Sequence, residues 1–148
     1  MLKKLFYTLL LSTIGLMATQ SNEVNQTKVV LQKLNMEPDT IYLIDFFASW
    51  CKSCKKELPL VSKIYNEKLV EVIGINVDAK REVGEAFVKS LNLPFRVIYD
   101  EDKLLVEAFD PVGFPALYYM RNGKVIHVIF GAVEDIDERI VKDLKELK

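Results

Sequence analysis

The chain has 148 residues, half of them apolar and 28% charged, with six Gly and five Pro. That suits one domain of ~100–200 residues able to bury about 70% of its unfolded surface, and excludes a disordered or fibrous protein. The formal net charge is −1, and no basic block is long enough to grip phosphates, so nucleic acid is not expected as a partner. Two Cys and one His are too few for a zinc site with four protein ligands, so neither a metal nor any other cofactor is expected.

Lys3 and Lys4 precede an apolar run from Leu5 to Ala18, broken by Ser12, Thr13 and Gly15, and no acid occurs before Glu23. A positive start, an apolar stretch and then polar residues describe a secretory signal peptide. The run is shorter than the ~20 residues of a spanning helix. Residues 1–21 therefore read as a cleaved signal or an uncleaved membrane anchor through residues 2–18, with a buried N-terminal helix as the third reading. Without Lys3 and Lys4, 18 basic residues face 21 acidic ones. Export to the periplasm follows, where disulfides form; residues 22–148 are expected to be one domain, a monomer.

Val24, Thr27, Leu31 and Leu34 predict a helix over Glu23–Asn35, ended by Pro38-Asp39. Ile41–Phe47 is a nearly continuous apolar run with one acid, Asp45, and reads as a buried strand. Cys51 to about Asn66 reads as a helix containing Pro59. Val70–Val77 predicts a second buried strand, and Arg81–Leu91 a helix with Val83, Ala86, Phe87 and Leu91 on its inner face. A short strand over Phe95–Tyr99 and a short helix over Asp102–Phe109 follow. Asn122-Gly123 between Leu117–Met120 and Val125–Phe130 predicts a hairpin with a type I′ turn. Ile136, Ile140, Leu144 and Leu147 mark a closing helix from about Glu134. This order implies an α/β domain with a mixed central sheet and helices on both faces.

The chemistry centres on Cys51-Lys52-Ser53-Cys54, after a buried strand and at a helix start. The spacing brings both sulfurs onto one turn, where unpaired N–H groups and the positive dipole end stabilise a thiolate; Lys52 adds a charge. A thiol pKa lowered from about 8.5 to about 7 multiplies the thiolate fraction at neutral pH roughly 15-fold. Lost nucleophilicity returns roughly 5-fold of that, so the main effect falls on leaving-group quality and on which redox form is favoured. The competing readings are a structural disulfide, worth roughly 2 kcal/mol for so small a loop, a zinc half-site without a second ligand pair, and chance spacing.

Asp45-Phe46-Phe47-Ala48-Ser49-Trp50-Cys51-Lys52-Ser53-Cys54-Lys55 resembles the active-site segment of the thioredoxin superfamily. Pro59 matches the kinking proline of its helix, Gly113-Phe114-Pro115-Ala116-Leu117 its cis-proline loop, and Asn122-Gly123-Lys124 with Gly131 its hairpin and following glycine. Trp-Cys-x-x-Cys-x-x-Glu-x-Pro, through Glu57, and the stretch Leu93–Asp100 resemble the exported TlpA/ResA/DsbE branch of thiol reductases. The resemblance covers nearly all of residues 40–148 and implies a thioredoxin-like fold.

By that resemblance Cys51 is the exposed nucleophile, Cys54 the buried resolving thiol, and the pair a redox-active disulfide. Cys54 needs a proton acceptor. Glu57, one helical turn on, is favoured over Asp45; the bland reading of Glu57 is a solvated helix-face acid. Many members of the branch carry an amide at the Asp45 position, so two acids depart from the pattern. Trp50, Phe114 and Pro115 are expected to bind substrate, Pro115 through a cis bond that presents the Phe114 backbone to an extended peptide. The expected function is protein-disulfide reduction in exported clients, among them a c-type cytochrome precursor. A membrane thiol-electron relay of DsbD/CcdA type would re-reduce the couple. Alternatives are a disulfide-donating oxidant and an exported binding or chaperone module with an incidental disulfide. No Pro-x-x-x-Thr-x-x-Cys precedes Cys51, which weighs against a peroxiredoxin-type peroxidase. His127, within a strand, reads as an outward or edge-facing side chain rather than a Cys–His hydrolase partner.

Overall fold

In a computed structural model, residues 27–148 are described. The chain divides into two compact units, Met1–Asn35 and Met36–Lys148. In the first, residues 27–34 form a helix, α1; the signal or anchor reading of residues 1–21 and the start of the predicted first helix lie outside the described residues. Among those described, no helix is long and apolar enough to cross a membrane.

The second unit runs β1 (Tyr42–Phe47), α2 (Lys52–Asn66), β2 (Glu71–Asn76), α3 (Arg81–Ser90), β3 (Arg96–Tyr99), α4 (Leu104–Phe109), β4 (Ala116–Arg121), β5 (Lys124–Phe130) and α5 (Ile136–Leu147). The five strands form one mixed sheet in the order β3-β2-β1-β4-β5. β1, β2 and β3 are parallel, while β4 is antiparallel to β1 and β5 to β4. β1 lies at the centre and is buried along its whole length, which is why its sequence, Asp45 apart, reads as a continuous apolar run rather than an alternation.

Both crossovers, through α2 and α3, step outward in the same direction, so right-handed connections put these helices on one face. Ring contacts agree. Phe47 meets Phe87 of α3 at a centroid distance of 6.0 Å. Phe46, pointing the other way, meets Phe109 of α4 at 5.2 Å. α5 packs beside α2, joined by a 2.8 Å ion pair from Lys63 to Asp137. The expected mixed sheet with helices on both faces is therefore the architecture found.

One predicted helix face is corrected. In α3 the buried residues are Gly84 and Phe87, whereas Val83 is 45% exposed and Ala86 is exposed as well. Gly84 turns inward because it lies against Asn76: a Cβ there would stand 2.1 Å from Asn76 Oδ1. The helix is rotated so that its smallest residue takes the tightest contact.

The hairpin forms as expected, with Asn122 and Gly123 at φ 51° and 74°, the two positive values a type I′ turn requires. Asn122 also accepts from the Asp39 N–H at 2.7 Å and donates to its carboxylate at 2.9 Å. α4 starts at Leu104 rather than Asp102. The buried Asp100 carboxylate caps it, accepting from the N–H groups of Leu105 at 3.0 Å and Val106 at 2.9 Å.

Candidate active site

Cys51 follows β1 and is the N-cap of α2, in extended conformation at φ −83° and ψ 105°. Its N–H donates to Ala48 at 3.1 Å, closing a turn. Its sulfur accepts from the Cys54 N–H at 3.2 Å, one of the helix-end donors that no carbonyl can serve. Cys51 and Cys54 are joined in a disulfide, with their Cα atoms 5.3 Å apart. Cys54 is fully buried, as expected. Cys51 was expected to be exposed; only 5% of it is accessible. Its sulfur is already bonded to Cys54, carries the Cys54 N–H and has the Ser53 hydroxyl 3.6 Å away.

Trp50 is 64% exposed, and its ring meets Phe114 edge-on at 5.8 Å. The Phe114–Pro115 peptide is cis. Pro115 immediately precedes Ala116, which pairs with Phe46, so the antiparallel β1–β4 pair brings the loop after β1 and the loop before β4 to the same end of the sheet. The Pro115 carbonyl accepts from the Gly131 N–H at 3.0 Å.

Two buried acids lie on the elements that carry the disulfide, Glu57 on α2 with Cys54 and Asp45 on β1, the strand that leads to Cys51. Cys54, Glu57, Leu58, Val61 and Ile64 form the buried stripe of α2, so Glu57 faces the sheet and is only 3% exposed; the solvated-helix-face reading is excluded. Asp45 is 1% exposed, with Gly74 and Leu117 as its strand partners. None of the four carboxylate oxygens has a hydrogen-bond partner. Burial pushes the Asp45 carboxyl well above the ordinary carboxylate range. Glu57 is pushed up further, first by burial and then by the charge of Asp45. Glu57 also borders a cleft of about 530 Å³, between the first turns of α2 and the loop of Ala132, Val133 and Glu134; Asp45 does not.

A second polar group stands behind Cys51, and the sequence reading did not single it out. Asp78, 4% exposed, accepts from the Ser49 N–H at 3.0 Å, the Ser49 hydroxyl at 2.7 Å and the Asn76 amide at 2.8 Å. The available signal was Asn76-Val77-Asp78 itself: two polar residues at the C-terminal end of a buried strand, where sites of parallel sheets gather. His127 belongs elsewhere. Its Nε2 is 3.5 Å from the buried Asp143 and 3.4 Å from Arg139, and Asp143 also takes the Tyr119 hydroxyl at 3.2 Å.

A family model described as the AhpC/TSA family matches residues 16–128. The chain belongs to the AhpC/TSA family. Within this family, the thiol-disulfide oxidoreductase ResA of Bacillus subtilis is 29% identical over 96 residues, 62% of this chain and 54% of the relative. The chain thus spans about half the length of that curated relative. Among solved structures, StoA from Bacillus subtilis superposes with a TM-score of 0.64 at 22% identity, covering 74% of this chain and 84% of StoA. The thioredoxin domain of a Bacteroides vulgatus thiol-disulfide oxidoreductase gives 0.60 at 22% identity, covering 71% of this chain and 79% of that domain. The expected thioredoxin-like fold is thus the fold of this AhpC/TSA member.

Proposed function

We propose that this AhpC/TSA member is a thiol-disulfide oxidoreductase that reduces disulfides of exported client proteins by cycling Cys51 and Cys54. One observation carries the reading: a disulfide at the N-cap of α2, with two partnerless buried carboxyls on the same helix and on the strand that leads into it. A structural disulfide does not need such a pair, which burial makes costly. A passive binding module has no use for it either.

In the reduced protein, the Cys51 thiolate attacks one sulfur of a client disulfide. The other client sulfur leaves as a thiolate and takes a proton from water. The Cys54 thiol then gives its proton to the acid pair, and its thiolate attacks the Cys51 sulfur. The client's second thiolate is released, and the Cys51–Cys54 disulfide stores the two-electron oxidation. Burial raises both carboxyls, and the charge of Asp45 raises Glu57 further, so the pair does not ionise fully at neutral pH; one protonated and one ionised leaves a single vacancy for the Cys54 proton. Glu57 takes the role of exchanging that proton with water, since it borders the cleft and Asp45 does not. The exposed Trp50 and half-buried Phe114 offer the client an apolar rim beside Cys51, and the buried Pro115 sets the course of the Phe114 backbone that would meet an extended peptide.

An external dithiol must return the two electrons; a membrane relay of DsbD/CcdA type has that chemistry. Export, with residues 1–21 as signal or anchor, puts the cycle where clients form disulfides. A c-type cytochrome precursor is a client of suitable chemistry.

Cys54→Ser tests the reading, because it stops the second attack. The variant should accumulate mixed disulfides through Cys51 when offered oxidised client protein, visible as reducible high-mass species on gels. A variant that traps nothing returns the chain to the binding-module reading. The second reading, disulfide donation, is favoured by the Cys54 N–H on the Cys51 sulfur, which stabilises the thiolate and so the reduced form. A reduction potential at or below about −200 mV supports the reductase, and one near about −120 mV the donor.

A further inference from the structure

We propose that Asp78 is a positioning residue for Cys51: acting through Ser49, its carboxylate holds the Ala48–Cys51 turn so that the Cys51 sulfur stays on the first turn of α2. The proposal rests on the reading of Cys51 as the nucleophile.

The turn that delivers Cys51 is held locally by a single backbone hydrogen bond, from Cys51 to Ala48 at 3.1 Å. Both polar donors of Ser49, its N–H and its hydroxyl, are committed to the two oxygens of Asp78 at 3.0 and 2.7 Å. In a solvated loop these donors would bond to water. Here they converge on a buried carboxylate, where a hydrogen bond fixes geometry more tightly and a missing partner costs more. Ser49 is two residues from Cys51 and adjoins Trp50, so its placement sets where both emerge.

Asp78 is itself anchored from several elements. The Asn76 amide donates to it at 2.8 Å, and the Asp78 N–H donates back to Asn76 Oδ1 at 3.3 Å. Asn76 in turn lies against Gly84 of α3, where there is no room for a Cβ. The Lys103 ammonium, just before α4, donates to the carbonyls of Val77 at 2.7 Å and Asp78 at 3.5 Å. The C-terminal end of β2, the N-terminal half of α3 and the start of α4 thus make one rigid backing for the active-site turn.

Asp78→Asn preserves shape, but its single oxygen serves only one of the Ser49 donors and its new N–H groups face donors. The test uses a small electrophile and no client: the rate at which iodoacetamide alkylates reduced Cys51 is followed against pH in protein shown to be folded by circular dichroism. Trp50, the chain's one tryptophan, reports the turn's mobility through its fluorescence anisotropy. A displaced sulfur leaves the helix N-terminus. The midpoint of the profile should then rise and the rate at pH 7 fall about fivefold, the worth of one hydrogen bond, with lower Trp50 anisotropy. An unchanged midpoint and anisotropy, with only a lower melting temperature, would make Asp78 merely structural and overturn the proposal. A lowered midpoint would overturn it too, because the charge and not the placement would then govern. Should Asp78→Asn fail to fold, Ser49→Ala loses only the hydroxyl bond and should move the profile the same way by about twofold; no movement there is equally fatal. A wild-type protein that alkylates normally but exchanges with no client sinks the proposed function and leaves this inference standing.

Discussion

Two sets of buried acids sit in the same sheet-and-helix core and are treated in opposite ways. Asp78 and Asp100 accept three and two hydrogen bonds respectively, and Asp143 is held by Tyr119 and Arg139. Asp45 and Glu57, as thoroughly buried, accept none. The first set organises loops and a helix start, so its removal leaves donors stranded. The second set holds no loop or helix start in place, and under the proposed function it is kept for its proton. Burial alone therefore does not mark a reactive acid; burial without partners does.

The sharpest way to break this comparison is to remove the partnerless pair's chemistry. Asp45→Asn with Glu57→Gln should slow disulfide exchange about 100-fold, the low end of general acid–base contributions, in stopped-flow traces of Trp50 fluorescence. Glu57→Gln alone should account for most of the loss; a larger loss from Asp45→Asn alone would transfer the water-exchanging role to Asp45. The satisfied set should show the reverse profile. Asp100→Ala should cost about 2–3 kcal/mol in urea unfolding, because the Leu105 and Val106 N–H groups lose their cap. Its effect on exchange should be small.

The pH dependence of stability offers the finest discrimination. Both partnerless carboxyls are raised in the folded state, so between the unfolded and folded titration ranges the native state binds more protons than the unfolded chain. Stability is then greatest in mild acid, and the acids' share is lost as pH rises through their folded titration. The oxidised wild-type protein should lose about 4 kcal/mol between pH 5 and pH 8, the worth of one extra native proton held across that range, and the doubly substituted protein should show a much flatter profile. A wild-type profile that climbs over this range would mean the pair is stabilised as anions.

The cysteine pair and Asp45 were legible in the sequence because each breaks a local rule, whereas the proline loop and Glu57 were legible through the resemblance to the thioredoxin superfamily. An acid inside an apolar strand and two cysteines spaced to meet on one helical turn each demand a reason. Cys51 was read as too open, since sequence spacing places a residue at a helix start but does not report what its neighbours cover. The inner face of α3 was misread because side-chain volume was weighted over the close approach that only Gly84 permits. Asp78 escaped notice for a different reason. Its partner Ser49 is 29 residues away, and nothing in either residue's neighbourhood announces the pairing.

The antiparallel pairing of β1 with β4 also works as a ruler. Trp50 and Cys51 leave the C-terminal end of one strand just where Phe114 and Pro115 enter the other, with Asp45 opposite Leu117 and Phe46 opposite Ala116. A two-residue slip of β4 would keep every side chain on its proper face and yet carry Pro115 about 7 Å along β1. Such a slipped chain would look folded by its helix and strand content while its two half-sites no longer faced each other. Under the proposed function, redox competence is thus a stricter test of correct sheet assembly than secondary structure.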